Sequence, residues 1–267
     1  MRIPSLFYRS AIVAGLAVLA SCGSDSATSP TTSAATSLTA AISQTSVVDA
    51  NTFASGRTLA SQSNTTANAT PTFDPAACAF SATDNSFTCP SKTASGLTFQ
   101  LKYFLYNSSG VAMTAYDAAS TAAVRTVWDA SGTFSTTGAN ASALQWTHHS
   151  DLTLNGLLST SRTLSGSSTD HGVFDTGSGA SAVHAVLDAA GSATSVVLPA
   201  TTGAYPSSGL LATDITASTT SNGFSTTATA RGTLAFNGTN FALLTLTSGA
   251  GTKACTIDLS GATAPRC

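Results

Sequence analysis

The side chains best suited to chemistry are gathered in one stretch. All four histidines, His148, His149, His171 and His184, fall within 37 positions, interleaved with Asp151, Asp170, Asp175 and Asp188. Imidazole and carboxylate are ligands for zinc and related ions, and together they perform general acid–base work. The spacing argues against a local metal pair, because no His-x-His or His-x-x-x-His occurs and the adjacent His148 and His149 point to opposite faces of a regular strand. His148, His171 and His184 therefore stand as weak metal candidates on solvated strands or loops, and no cofactor is assigned. A triad of a serine with His148 and Asp151 has only composition behind it. Other templates fail on the residues themselves. There is no Gly-x-Ser-x-Gly elbow and no Ser-x-x-Lys, and a chain without glutamate has neither a His-Glu-x-x-His site nor a glutamate pair for glycoside hydrolysis. Gly177 to Ala182 is glycine-rich, but it does not open a strand-to-helix unit of the kind that cradles a dinucleotide.

Val173-Phe-Asp-Thr-Gly-Ser178 resembles the hydrophobic-Asp-Thr-Gly-Ser signature of pepsin-like and retroviral aspartic proteases. The resemblance would put Asp175 in the catalytic place, sharing a proton with a second carboxylate. It covers about six residues, departs at Gly179, and finds no second Asp-Thr-Gly or Asp-Ser-Gly in the chain.

A different chemistry is written at the N-terminus. Arg2 and Arg9 precede the apolar run Ala11 to Ala20, which as a helix is about 15 Å long, half the hydrocarbon thickness of a bilayer. That is a secretory signal rather than a membrane span. It runs into Leu19-Ala20-Ser21-Cys22, which resembles the lipobox of bacterial lipoproteins. The resemblance implies that the Cys22 thiol receives diacylglycerol, that the signal is cut just upstream, and that two or three acyl chains hold the mature protein to a membrane, where one chain would hold it weakly. Gly23 replaces the aspartate that retains enterobacterial lipoproteins in the inner membrane, so the outer membrane of a bacterial envelope is the expected location.

With Cys22 given to lipid, four cysteines remain, in two local pairs: Cys78 with Cys89 and Cys255 with Cys267. Each pair brackets a turn signal, Asp84-Asn85 in the first and Ser260-Gly261 with Pro265 in the second. No pair has Cys-x-x-Cys spacing or a histidine nearby in sequence, so disulfides are expected, as suits an oxidising compartment.

Composition limits the partners. Charged residues make up 8% of the chain against about 25% in ordinary globular proteins, and the net charge is -2. Ten scattered Lys and Arg cannot neutralise a run of phosphates, which excludes nucleic-acid binding. The expected partners are the membrane, through Cys22, and a lipid, a glycan or another envelope protein.

The elements that must position these residues read as strands. Residues 23–37 are nearly all Ser, Thr, Ala, Asp and Pro, a tether. Leu38, Ala41, Ile42, Thr45 and Val48 recur at helical spacing, which predicts a short helix. From Cys78 onward, short runs of β-branched and aromatic residues alternate with Gly, Asn, Asp and Ser. Phe99, Leu101, Tyr103 and Leu105 alternate before a turn at 107–110, and Asn237-Gly238 joins two further strands as a type I′ hairpin signal. Candidate strands also cover 124–128, 144–158, 162–164, 182–187, 195–198, 211–219, 224–230 and 254–259. Helix competes at 117–123 and 181–190. The expectation is an all-β antiparallel meander forming a curved sheet, a sandwich or an open barrel, with one face wet or lined by small groups. The chain then divides into a signal peptide (1–21), a lipidated cysteine with its tether (22–37) and one β-rich domain (38–267). Its expected role is a non-enzymatic binding or structural module, the alternative being a metal- or aspartate-dependent envelope hydrolase built on residues 148–188.

Overall fold

The computed structural model describes residues 78–94, 97–136, 142–176, 182–201, 204–221 and 223–260. The expected signal, tether and helix, with Cys22 and Cys267, lie outside the described residues.

Thirteen strands form one antiparallel sheet: β1 (Ala79–Ser81), β2 (Ser86–Thr88), β3 (Lys92–Ala94), β4 (Leu97–Asn107), β5 (Ala112–Met113), β6 (Thr121–Thr136), β7 (Ser142–Asn155), β8 (Ser161–Thr176), β9 (Val183–Pro199), β10 (Ser208–Ser221), β11 (Phe224–Ala235), β12 (Phe241–Ser248) and β13 (Gly251–Asp258). From β6 to β13 each strand pairs with the next in sequence, so the sheet is a plain meander. β4 pairs with β6 on one edge, while β2, β3 and β5 share its other edge end to end. Among the described strands β13 and β1 stand at opposite ends and do not pair. Among the described residues the fold is thus one open, curved all-β sheet, with no second sheet packed on it and no closure into a barrel.

Residues directly opposite one another across strands share a face, and faces alternate along each strand. One row crosses the sheet as Tyr103, Thr126, Leu152, Gly166, Ala193, Leu211, Leu234, Leu244 and Cys255. The neighbouring row on this face contributes Leu105, Val124, Leu154, Leu164 and Val196. Leu154, Leu164, Val196, Leu198, Leu234, Leu244 and Ile257 belong to one buried cluster that reaches from β7 to β13. Large apolar side chains therefore populate one end of one face, and the sheet must curl around them to bury Leu244 completely. The other face carries rows such as Thr98, Ser131, Thr147, His171, Asp188 and Thr216, which are Ser- and Thr-rich and wet.

A second cluster, Phe87, Tyr103 and Leu105, lies under the β1–β2 hairpin. Phe87 and Tyr103 stack at 4.6 Å between ring centroids, and Phe80 tilts onto Phe87 at 5.1 Å. The turn between β1 and β2 takes Asn85 to a φ of 53°, as the Asp84-Asn85 signal anticipates. Cys78 and Cys89 form the expected disulfide across this hairpin, and both pack against the cluster. Cys255 is buried on β13, and its expected partner Cys267 lies outside the described residues. Replacing Cys78 and Cys89 together by alanine should cost about 3 kcal/mol in denaturant unfolding, the loop-entropy value for a loop of this length. An unchanged midpoint would show that the hairpin needs no brace.

One local expectation is corrected. Asn237-Gly238 does not form a two-residue type I′ turn. Five residues separate β11 from β12, only Gly238 of the pair has positive φ (84°), and the Asn237 Oδ1 accepts from the Thr239 amide. The Gly238 and Phe236 amides donate instead to the carbonyls of Pro206 and Gly209, so the loop is shaped by the β9–β10 connection beside it. At 117–123 and 181–190, where helix competes with strand in the sequence, the described residues contain no helix, in line with the strand read at 182–187. Residues 118–120 are a turn, and the rest that is described belongs mainly to β6 and β9.

Candidate functional site

Register brings each histidine directly opposite an aspartate. His149 faces Asp129 across β6–β7, His148 faces Asp170 across β7–β8, and His171 with Asp188 and His184 with Asp175 face each other across β8–β9. In every case the ring Nδ1 lies at hydrogen-bond distance from the carboxylate, at 2.7, 2.8, 2.7 and 2.6 Å respectively. A carboxylate only accepts, so Nδ1 carries the proton and donates it. Arginines complete the pattern. Arg125 grips Asp151 with two parallel bonds of 2.7 and 2.6 Å, and Arg231 reaches Asp214 at 3.2 Å from the facing position on β11. Cross-strand opposite charges of this kind stabilise a sheet and pin its register.

Period-2 alternation separates the histidines. His149 and His171 sit on the Ser- and Thr-rich face. His148 sits on the other face, packed between Trp128 (centroids 4.7 Å apart) and Trp146 (5.6 Å), with its side chain only 12% exposed. The His184–Asp175 pair returns to the polar face but lies four residues along β8 from His171, about 13 Å at strand rise. The three metal candidates His148, His171 and His184 therefore do not converge, and among the described residues no group of three or more His, Cys, Asp or Glu could hold an ion.

The same geometry dissolves two nucleophile readings. His148 is held by Asp170, and Asp151 belongs to Arg125, so the triad of serine, His148 and Asp151 is not assembled. Among the described residues no hydrogen bond of these imidazoles runs to a serine hydroxyl. Asp175, the residue matched to the aspartic-protease signature, pairs with an imidazole where that chemistry needs a second carboxylate. Gly177 to Ser181 of the glycine-rich segment lie outside the described residues.

Three of the four pairs border one concavity of about 700 Å³ that crosses six strands, from Thr98 and Gln100 on β4 to Asp214 and Thr216 on β10. Each strand gives it two consecutive residues of the polar face, and Ala130, His148, Asp170 and Ala189 also reach it. Between the pairs its lining is Thr98, Gln100, Ser131, Thr147, Thr169 and Thr216, a lattice of hydroxyls and one amide. The histidines and most of their partners were legible as residue types. Asp129 and Asp214 were not, because nothing in the sequence ties a residue to one some twenty positions away until the register is known. Compared with known proteins, the chain matches no family model, no curated protein and no solved structure.

Three aspartates are held well inside their charged range, Asp117 among them through the Ser120 hydroxyl and the Ala119 amide. Hydrogen bonds from Ser81 and Ser86, with Lys102 nearby, lower the Asp84 carboxyl to about 2, and the Arg125 guanidinium lowers Asp151. A depressed carboxyl contributes stability that is complete above its unfolded pKa of about 3.9 and fades as pH falls through the folded value. Folding stability should therefore decline from about pH 4 toward pH 2 for Asp84, and Asp151→Asn should make the acid limb of the wild-type curve shallower. A limb of equal slope in that variant, followed by circular dichroism between pH 6 and pH 2, would contradict the assignment for Asp151.

Proposed function

We propose that the protein is a lipid-anchored module of a bacterial envelope, held at the outer membrane through acyl chains on Cys22, that binds a neutral polar ligand such as a glycan segment across the trough and does not turn it over. One observation carries the binding reading: every aspartate and histidine that lines the trough is already paired, carboxylate with imidazole or carboxylate with arginine. Between the pairs the lining that meets a ligand is mainly hydroxyl and amide, with the second ring nitrogens and carboxylate oxygens of the half-exposed pairs beside them, groups that exchange hydrogen bonds with hydroxyl-rich surfaces at little desolvation cost. The volume lies within the range of ligand sites, and the polar lining disfavours an acyl chain at this place. The alternative, a hydrolase built on residues 148–188, would draw on the His149–Asp129 and His171–Asp188 pairs, which are diagonal neighbours on the trough face, and release of sugar in the test below separates it from binding.

The test is retention of the protein on immobilised neutral envelope polysaccharide, with release of reducing ends measured in parallel. Thr147→Val and Thr169→Val remove one hydroxyl each while keeping the shape of a strand residue. Each should weaken binding roughly 5- to 10-fold, in line with a lost hydrogen bond of about 1 kcal/mol. Time-dependent release of sugar would favour the hydrolase, and no retention at any concentration would end the glycan reading.

A further inference from the structure

Arg162 is the second residue of β8, two positions from Leu164 on the same face and directly opposite Leu198 on β9, both buried. Its own side chain has no exposed surface, and among the described residues neither Nε, Nη1 nor Nη2 has a hydrogen-bond partner. The acidic side chains of the described residues are taken. Among the described residues Asp84 serves Ser86 and Lys102, and Asp117 serves the turn at Ala119. Asp258 serves Ser260, Asp151 and Asp214 serve Arg125 and Arg231, and the other four serve the histidines. A guanidinium cannot shed its proton to escape burial, and a buried charge with no counter-ion is one of the costliest features a fold can hold.

The strand end at which it sits is the side from which a ligand would come. Arg162 follows the β7–β8 turn, where Leu158 is 50% exposed, and the Leu157 amide ties that turn to the Ala122 carbonyl at the start of β6. Tyr116, on the loop between β5 and β6, is the ionisable neighbour of the guanidinium and is partly exposed, and Val111 projects from the β4–β5 turn at the same end of the sheet. The buried cation thus shares its strand end with the exposed apolar side chains of Val111, Tyr116 and Leu158. From this arrangement we propose that Arg162 is the receptor for an oxyanion, a carboxylate or phosphate, delivered at the strand end bearing Tyr116 and Leu158. The planar fork of five donors matches two oxygens of such a group, and the apolar side chains at this strand end suit an oxyanion that heads a hydrocarbon chain. This site is on the opposite face from the trough and stands whether or not the trough binds a glycan.

The experiment is thermal unfolding of the full chain in a neutral detergent, with three probes titrated separately: inorganic phosphate, dodecanoate below its micellar concentration, and vesicles of an anionic phospholipid in detergent-free reconstitution. The midpoint should rise by roughly 5–10 °C at about 100-fold over Kd for the cognate oxyanion. A rise with phosphate identifies a free-oxyanion site, and a rise only with dodecanoate or vesicles identifies an amphiphile's headgroup. Arg162→Met should melt higher than wild type without any probe, because the unpaired charge is gone, and should show no rise with one. Arg162→Lys keeps the charge but loses the fork, and its rise should be at most half that of wild type. Indifference of the wild type to all three probes, or an unchanged rise in Arg162→Lys or Arg162→Met, would overturn the proposal.

Discussion

Cys22→Ser should abolish acylation and move the protein from the detergent-rich to the aqueous phase on phase separation, a change in partition of 100-fold or more. The thiol is the one atom at that position able to form the thioether, and serine preserves size and polarity around it. Membrane affinity comes from about 0.8 kcal/mol per buried methylene, so loss of two or three chains removes nearly all of it. The ten-residue run from Ala11 to Ala20 is too short to substitute as a span. The same variant should leave the signal uncut upstream of position 22, because processing in lipoproteins follows lipidation. A Cys22→Ser protein that stays wholly with the detergent phase and is trimmed at the same bond would sink the lipoprotein reading.

The largest effect expected within the folded domain is at Gly166. It lies in the middle of the apolar row that runs from Tyr103 to Cys255, where β8 and β9 slip register between Leu164 and Gly166. Its φ is 149°, and a Cβ built there would sit 2.1 Å from the Asp151 carbonyl oxygen and 2.8 Å from the Leu152 Cα. Both obstacles are backbone in the adjacent strand, so neither can rotate away. Gly166→Ala combines a backbone conformation nearly closed to other residues with an overpacked interior, and should cost roughly 3–5 kcal/mol. Domains are in general stable by only about 5–15 kcal/mol, so that is a large share of the margin. Gly110 offers the contrast: its φ is 76° but a Cβ there meets nothing within 4 Å, and Gly110→Ala should cost about 1–2 kcal/mol from conformation alone. Equal midpoints for the two variants in urea would show that strand contact at Gly166 is not the deciding term.

How far the sequence could be read depended on which physical signal each element carries. β4 announces itself because Phe99, Leu101, Tyr103 and Leu105 alternate. β9 does not. Its two ends read as separate strands at 182–187 and 195–198, since Asp188 to Ser192 is small and polar with no β-branched residue to favour extension. The 17-residue strand exists because β8 and β10 pair with it on both sides, and it absorbs the irregularity at Ser195, whose φ is 48°. β8 was visible only at 162–164 for the same reason, although it runs from Ser161 to Thr176. Neighbouring strands dictate extension where local propensity is silent, and that information is non-local.

The candidate site shows the same boundary. His148 and His149 were placed on opposite faces by period-2 alternation, which needs no structure. The partner of each histidine needed register, which the sequence alone does not fix. Arg162 escaped notice altogether, because one arginine near the start of a polar strand looks like an ordinary solvated residue until its neighbours are known to be Leu164 and Leu198.

The most direct test is the intact mass of the protein purified from the membranes of a bacterium that makes it. The prediction is a polypeptide beginning at Cys22, lacking residues 1–21, with the added mass of two or three acyl chains on its first residue. A precursor of full length, or a chain cut elsewhere that carries no fatty acyl mass, would contradict it.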